Sequence, residues 1–231
     1  MIYVMSDIHG NYKKYMQAFV RIDFSDNDTL YVLGDVVDRG ENPIKILQDM
    51  IYRVNVVPIV GNHEYMALSV LKDLVKIDPE DFPGFDEDLL FCMQLWLADG
   101  GQTTIDEFVA LSQVDRENIL EYLEEFELYA EVNCNGKDYI LVHAGLSNFR
   151  EDKSLDEYEL HELIWQPIDY DKKYFKDKYI VTGHVPVMSI EANDFKSKIY
   201  RGNNHLAIDC GCIYGGYLAV LCLDDGREFY I

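Results

Sequence analysis

Five short motifs in this chain place aspartate, histidine or asparagine beside glycine, each directly after an apolar run. In chain order they are SDIHG from Ser6, GDVVDRG from Gly34, GNHE from Gly61, HAG from His143 and GH from Gly183. Carboxylate, imidazole and amide groups together suit hard-to-borderline divalent metals such as Mn, Fe or Zn. The motifs contain no cysteine, which argues against a structural zinc site. The chemistry indicated is therefore metal-dependent.

The number of these side chains indicates two metal ions rather than one. A lone histidine after a strand is more often structural, but four of the six histidines lie in the motifs. The potential ligands are four histidines, two aspartates and one asparagine: His9, His63, His143, His184, Asp7, Asp35 and Asn62. So many ligands exceed the usual needs of one ion, and a shared carboxylate would join two. The other two histidines, His161 and His205, match no motif, and we expect surface or helix-packing positions for them.

The N-terminal third predicts the elements that position three of these motifs. Apolar runs predict buried parallel strands at Ile2–Met5 and at residues 30–33 and 56–60. Helical patterns follow these runs at about residues 12–21, at 43–52 and from His63. This β-α-β pattern predicts a parallel sheet, and ligands of open α/β sheets bind beyond the carboxyl ends of the strands. Asn42 is the expected cap of the second helix.

The rest of the chain predicts a helical insertion followed by a more antiparallel half. The insertion covers about residues 65–127, with a loop at residues 79–84. Strand-like runs then follow at residues 128–134, 138–142, 179–182, 198–200, 205–209, 217–223 and 228–231. Asn135 and Gly136 form a strong hairpin signal between the first two runs. Because no linker is visible, we expect a single domain over residues 1–231.

Composition and charge exclude several classes of protein. The 231 residues are 48% hydrophobic and 27% charged, with no apolar run of membrane-spanning length. The formal net charge of −22 predicts repulsion of nucleic acid and of anionic lipid, so we expect neither as a partner. A divalent metal site would still admit an anionic substrate, because the ions invert the local field. The N-terminus lacks the basic region of a signal peptide.

The cysteines indicate a reducing compartment. Their number is five and they are scattered along the chain, which is typical of reduced thiols in a cytoplasmic protein. Cys210 and Cys212 could form a redox pair, but buried hydrophobic side chains are the preferred interpretation. We also expect Trp165 to pack in the core. Asp209 is expected to hold the turn at Gly211.

The ordered motifs DIHG, GDVVDRG, GNHE, HAG and GH resemble those of the calcineurin-like metallophosphoesterases. Within them, the chain looks most like the phosphoprotein phosphatase family, in its bacterial and bacteriophage serine/threonine phosphatase branch. The resemblance extends to IDCGCIYGGYLAVLCL at residues 208–223, and WLADGG at residues 96–101 resembles a segment of the phage-type enzymes. It implies an α/β fold, a sandwich of two mixed β-sheets flanked by helices in four layers, α/β/β/α.

The resemblance also implies a dinuclear metal centre. Its ligands would be Asp7 and His9 for the first ion, Asp35 as the bridge, and Asn62, His143 and His184 for the second. The expected cofactors are two divalent ions, with Mn²⁺ preferred and Fe or Zn as alternatives. Two ions about 3.5–4 Å apart lower the pKa of a bridging water, and the resulting hydroxide attacks phosphorus in line.

Further implied roles concern the proton and the phosphate. His63 would donate a proton to the leaving group, and Asp38 would orient the ring of His63. Arg39 and Asn62 would bind the substrate phosphate. Phage-type relatives carry a further arginine shortly after a Leu-Trp or similar pair, whereas LIWQPIDYD at residues 163–171 has none. Arg150 and Arg201 are candidate substitutes.

Three functions follow from these observations. The first is a phosphomonoesterase acting on phosphoproteins or phosphopeptides, at phosphoserine or phosphothreonine and with phosphotyrosine as a further substrate. The second is a symmetrical dinucleoside tetraphosphate hydrolase, which requires a base-stacking pocket around residues 85–126. The third is an inactive regulatory or binding module. It is the least favoured, because every implied ligand and the implied acid are present.

Overall fold

The first sheet places three of the motif-bearing strands side by side. The computed structural model describes residues 1–75, 86–194 and 196–231. The strands of this sheet pair in the order β10 (Glu228–Tyr230), β9 (Ala219–Cys222), β1 (Ile2–Met5), β2 (Thr29–Leu33) and β3 (Val56–Ile59). β1, β2 and β3 are parallel, as predicted, whereas β9 is antiparallel to both β1 and β10. The C-terminal strands therefore complete the sheet that the N-terminus begins.

The second sheet is mixed as well. Its strands pair in the order β4 (Tyr129–Cys134), β5 (Lys137–Val142), β6 (Lys178–Thr182), β8 (His205–Ala207) and β7 (Tyr200–Gly202). β5, β6 and β8 run parallel, and hairpins add β4 and β7 at the two edges. The antiparallel pairs of this sheet are its two hairpins, and the antiparallel character expected of the C-terminal half is completed by β9 in the first sheet. Two mixed sheets flanked by helices confirm the fold that the resemblance implied.

The two hairpins use the same turn chemistry. Asn135 and Gly136 connect β4 to β5 with φ values of 50° and 76°, as the sequence predicted. Asn203 and Asn204 connect β7 to β8 with φ values of 51° and 60°. Two successive left-handed residues match the right-handed twist of the flanking strands. The sequence analysis did not predict this second turn. It placed the strand before it at residues 198–200, two residues earlier than its position in the structure.

Side chains from both sheets pack against one another between the layers. Val4 and Ile59 of the first sheet share one buried cluster with Leu141 of the second. Met5, which follows Val4 in β1, and Val32 of β2 belong to the cluster that packs against the helices. Successive residues of a strand point to opposite faces. Strands buried on both faces therefore appear in the sequence as continuous apolar runs.

Helices cover the outer faces of the sheets. Those in the described residues are α1 (Tyr12–Ile22), α2 (Pro43–Ile51), α3 (Asn62–Leu74), α4 (Glu87–Ala98), α5 (Gln102–Val109), α6 (Gln113–Glu124) and α7 (Leu160–Ile164). The predicted insertion is helical where it is described, in α3 to α6, and the loop predicted at residues 79–84 lies outside the described residues. None of these helices combines the length and the apolar character of a membrane span. The single-domain organisation stays a prediction.

Asn42 does not cap α2, although the sequence predicted that it would. Its side chain makes no capping hydrogen bond, and its amide instead donates to Oε1 of Glu107 at 3.3 Å. Oε2 of Glu107 accepts from the backbone N–H of Ile44 at 2.8 Å. A carboxylate from α5 therefore accepts from a backbone N–H group in the first turn of α2. This contact joins the insertion to the N-terminal half.

His205 lies in the interior, contrary to the surface or helix-packing position expected for it. It is 2% exposed in β8, its ring stacks on Tyr170 with centroids 4.9 Å apart, and its Nε2 lies 2.9 Å from the hydroxyl of Thr182. Burial lowers the pKa of His205 to about 3. His161, in contrast, is exposed on α7 as expected.

The buried imidazole of His205 should make the protein less stable in mild acid. Its pKa is about 3 in the folded protein, against about 6.5 in an unfolded chain. The unfolded state therefore binds the extra proton as the pH falls below about 6.5, and stability is lost. Between about pH 7.5 and pH 5, protonation of this ring should lower the free energy of unfolding of the wild type by about 2 kcal/mol. His205→Gln should not show this part of the loss, and urea unfolding at the two pH values measures the difference.

His161→Gln provides the matched control, because the side chain of His161 is 59% exposed and keeps contact with water in the folded state. The prediction is wrong if both variants lose as much stability as the wild type over the same pH range.

Candidate metal centre

Side chains from four of the five motifs line one cavity, whereas His143 of the HAG motif does not line it. The cavity has a volume of about 230 Å³ and is lined by Asp7, Asp35, Arg39, Asn62, His63, Asp99, Trp165, His184, Pro186, Asp209 and Tyr214. It lies where the carboxyl ends of β1, β2 and β3 approach those of β5 and β6. Larger grooves of about 600 and 640 Å³ lie elsewhere, and none of the predicted site residues lines them.

Two sets of three ligand atoms lie close together in the described residues. His9, Asp35 and His63 form one set, and Asp35, His143 and His184 form the other. Within each set, all ligand atoms lie within 4.8 Å of one another. Asp35 belongs to both sets, which is the position that a bridging carboxylate requires.

Second hydrogen bonds fix the ring orientation of two histidines. Nδ1 of His9 donates to the carbonyl of Val37 at 3.0 Å, and Nδ1 of His143 donates to the carbonyl of Leu33 at 2.6 Å. Burial lowers the pKa of both rings, which keeps them neutral. A neutral ring that is protonated at Nδ1 presents the lone pair of Nε2, the form that binds a metal ion.

Lone pairs meet at Asn62 in a way that suits a cation. Oδ1 of Asn62 lies 3.0 Å from Nε2 of His143 and 3.0 Å from Nδ1 of His184. Oδ1 of Asp35 lies 3.3 Å from Nε2 of His143. Burial lowers the pKa of His184 to about 4, so this ring is neutral near pH 7. Because Nδ1 of His143 donates to the carbonyl of Leu33, the Nε2 lone pair of His143 faces both oxygens, and a cation between these acceptors would remove their repulsion, so the donor set fits a metal ion.

Asp7 belongs to neither ligand set. Both of its carboxylate oxygens accept from the backbone N–H of His184, at 3.1 and 3.0 Å. Burial raises the pKa of Asp7, and the charge of Asp209 raises it further. Burial also raises the pKa of Asp35, with Asp7 as the next cause. Carboxylates this close are costly when ionised and buried, and divalent cations would offset that cost.

The backbone of the site is strained. Six predicted site residues have positive φ values: Asp7, His9, Asp35, Asp38, Arg39 and His184, with φ between 45° and 71°. Such values are uncommon outside glycine and tend to cluster at functional sites. Gly34 is needed for a further reason, because a Cβ there would lie 2.5 Å from the backbone nitrogen of Gly61. The chain therefore turns sharply where the ligands must point inward.

Glu64 supports this backbone and was missed by the sequence analysis. Its buried carboxylate accepts from the backbone N–H groups of Asp35, Val36, Val37 and Gly61, at distances between 2.7 and 3.1 Å. Glu64 is the third residue of α3, where a glutamate is a common capping partner. That position was the available signal, but it does not reveal the contacts with the GDVVDRG loop.

Asp38 and His63 form a buried pair that the insertion reinforces. Nδ1 of His63 lies 2.6 Å from Oδ2 of Asp38, and Trp96 Nε1 donates to the same oxygen at 2.7 Å. The hydroxyl of Thr104 donates to the other oxygen of Asp38 at 2.5 Å. WLADGG thus contributes to the site through Trp96, a role that the resemblance did not specify.

Arg39 is held by residues far away in the sequence. Its Nη2 donates to Oδ1 of Asp99 at 2.7 Å, and its Nη1 donates to the hydroxyl of Tyr214 at 3.2 Å. Nη1 also lies 2.9 Å from Nε2 of His9. Asp99 lies in WLADGG and Tyr214 in the segment at residues 208–223, but the sequence analysis assigned a role to neither residue.

Other expectations are corrected or confirmed by the geometry. Trp165 is half-buried: it packs against the main buried cluster, and it also lines the cavity. Arg150 is exposed beside Asp152, and Arg201 pairs with Glu228, so neither arginine lines the cavity.

The turn after Asp209 is held as predicted, since its carboxylate accepts from the backbone N–H of Gly211 at 2.9 Å. Cys210 and Cys212 are buried free thiols whose pKa values are raised by burial, as expected of small hydrophobic side chains.

A comparison of the sequence with protein-family models identifies the family of this chain. Residues 1–209 match the family model described as calcineurin-like phosphoesterase. The chain belongs to the calcineurin-like phosphoesterases. This confirms the resemblance seen in the five motifs, and the protein is a phosphoric ester hydrolase. The histidine and aspartate cluster agrees with the metal dependence of such a phosphoesterase.

Relatives of this phosphoesterase carry two kinds of name. It is 25% identical to the asymmetrical bis(5'-nucleosyl)-tetraphosphatase PrpE of Geobacillus sp. (strain WCH70), over 93% of this chain and 87% of that protein. It is 26% identical to serine/threonine-protein phosphatase 2 of Escherichia coli (strain K12), over 86% of this chain and 85% of that protein.

A solved structure provisionally described as a diadenosine tetraphosphatase superposes with a TM-score of 0.68 and 16% identity, covering 100% of this chain and 92% of its own. That likeness concerns the fold alone.

The carboxylate of Glu64 should be essential for a stable site. Glu64→Gln replaces an acceptor oxygen with an NH₂ group that faces backbone N–H donors. We expect a loss of about 2–4 kcal/mol in the free energy of unfolding, measured by urea denaturation. Glu117→Gln on the exposed surface of α6 is the control, since Glu117 accepts only from Gln113. Equal stability of the two variants would contradict the structural role of Glu64.

Proposed function

We propose that this phosphoesterase is a dinuclear-metal-dependent protein phosphatase acting on phosphoserine and phosphothreonine, with phosphotyrosine as a further substrate. The observation that carries the proposal is the cavity itself. Its volume of about 230 Å³ suits a phosphoryl group on a protruding side chain, whereas sites that enclose a whole drug-sized ligand measure about 300–1,000 Å³. A phosphorylated side chain of a protein could enter such an open cavity.

The two sets of converging atoms contain four of the proposed metal ligands, whereas Asp7 and Asn62 are added from the family resemblance and His63 of the first set is proposed to transfer a proton instead. Asp7, His9 and Asp35 would hold the first ion, with Asp35 bridging to the second, and Asn62, His143 and His184 would complete the second. Mn²⁺ is the proposed metal, with Fe or Zn as alternatives. When bound, two such ions activate water at neutral pH and neutralise the charge of the phosphoryl oxygens.

His63 is the proposed proton donor. Because Asp38 engages its Nδ1, the ring presents Nε2 to the cavity. A donor in this position protonates the leaving oxygen of a serine or threonine, which is a poor leaving group without a proton. Trp96 and Thr104 hold the carboxylate of Asp38, so the ring cannot turn away from the substrate.

Arg39 is proposed to bind the phosphoryl oxygens together with Asn62. Its planar guanidinium can donate to two oxygens at once. Arg39 is the one arginine that lines this cavity in the described part of the chain. The role that a second arginine plays in phage-type relatives is therefore proposed to fall to the metals and Asn62.

A dinucleoside tetraphosphatase is the second candidate. The Geobacillus relative with this kind of activity in its name aligns over 93% of the chain. Trp165 lines the cavity, and the edge of Tyr65 packs against it with ring centroids 5.3 Å apart. Tyr65 is 41% exposed. Two aromatic side chains at the cavity offer a surface on which a base could stack.

We also propose a cytoplasmic location in a bacterium. The five cysteines are free in the structure, which fits a reducing compartment, and the two named relatives come from bacteria.

The test begins with the protein stripped of metal by a chelator. Adding back Mn²⁺ should restore phosphate release, and Fe²⁺ and Zn²⁺ should be compared at equal concentration. We expect the kcat/KM for a phosphoserine peptide to exceed that for diadenosine tetraphosphate. A preference for the dinucleotide would overturn the protein phosphatase proposal in favour of the second candidate.

The role of His63 is tested separately. His63→Gln should lower kcat on the phosphoserine peptide by about 10²–10⁴-fold with little change in metal content, because the ring donates a proton. His161→Gln, far from any motif, should match the wild type. Full activity of His63→Gln with metal bound would exclude His63 as the proton donor.

A further inference from the structure

The carboxylate of Asp99 lines the cavity beside His63, the proposed proton donor. Its Oδ2 lies 3.5 Å from Nε2 of His63, and its Oδ1 pairs with Arg39. Asp99 lies in the turn between α4 and α5, so this charge comes from the insertion and not from the motifs. Neither of the two ligand sets found among the described residues includes Asp99.

The turn that carries Asp99 is fixed in place. The backbone carbonyl of Asp99 accepts from Nε of Arg39 at 3.2 Å, and the carbonyl of Gly100 accepts from the backbone N–H of Arg39 at 2.9 Å. A Cβ on Gly100 would lie 2.6 Å from Cγ of Arg39, and one on Gly101 would lie 2.6 Å from the ring of Trp96. The backbone of the turn is therefore fixed, and the side chain of Asp99, which is 46% exposed, is held near His63 by its pairing with Arg39.

We propose that Asp99 selects against substrates whose leaving group is an anion. This rests on the proposed function, in which His63 is the proton donor. Hydrolysis forms a bond from a water oxygen to phosphorus and breaks the bond from phosphorus to the leaving oxygen. The leaving oxygen takes the proton from His63, so the departing group passes next to Asp99.

The charge of the leaving group decides how it interacts with Asp99. Serine or threonine departs as a neutral alcohol, which a neighbouring carboxylate does not repel. A nucleoside diphosphate or triphosphate departs with several negative charges, and like charges at this range repel. Asp99 thus favours phosphoproteins over dinucleoside polyphosphates at a site whose metals suit either substrate.

Asp99→Asn is the decisive variant, because an amide oxygen can still accept from Arg39 while the charge is removed. We expect the ratio of kcat/KM for diadenosine tetraphosphate to kcat/KM for a phosphoserine peptide to rise about tenfold over the wild type. Asp99→Glu retains the charge and should keep the ratio near the wild-type value. High salt should raise the wild-type ratio more than that of Asp99→Asn, because it screens the repulsion.

Asp106→Asn on the exposed face of α5 is the matched control, since it removes one negative charge from the same insertion without touching the cavity. An equal fall on both substrates in Asp99→Asn would reduce Asp99 to a residue that positions Arg39, and the selectivity proposal would be wrong. The same shift in Asp106→Asn would also overturn it, because only net charge would then matter.

The outcome is independent of the wild-type preference. A wild type that prefers the dinucleotide overturns the protein phosphatase proposal, whereas an unchanged ratio in Asp99→Asn overturns the role of Asp99.

Discussion

The buried carboxylate of Glu64 is the interaction on which the geometry of the site depends. After β2 the backbone leaves the sheet and turns through left-handed conformations at Asp35, Asp38 and Arg39. Its N–H groups can no longer find partners in the strand ladder, and buried donors without partners are costly. Glu64 accepts from three of them and from Gly61, so one side chain holds the exits of β2 and β3 together.

This arrangement explains why the site residues were visible in the sequence. Parallel strands end at a common edge, so side chains that follow β1, β2 and β3 meet without any knowledge of packing. Asp35 and Asn62 could be placed in this way, and His143 and His184 followed from the same signal in the second sheet. The two mixed sheets were predicted from the family resemblance, because the sequence of a short strand does not indicate which strands it will pair with.

What the sequence could not reveal are contacts between distant segments. Trp96 and Thr104 lie about sixty residues from Asp38, and nothing in their local pattern predicts that they hold its carboxylate. Tyr214 reaches Arg39 across 175 positions. His205 was misplaced for a related reason, since a lone polar residue in a short strand gives no sign of which face is buried. Packing between elements, not periodicity, decides these positions.

The left-handed backbone at the predicted site residues has an evolutionary consequence. Asparagine and glycine adopt positive φ at least as readily as aspartate. At Asp7, Asp35 or Asp38, a single change to either residue would therefore remove a charge while leaving the turn intact or even relaxed. The turn alone therefore does not require a carboxylate at these positions. A duplicated copy freed from selection for catalysis could keep its shape and become a binding protein within a few substitutions.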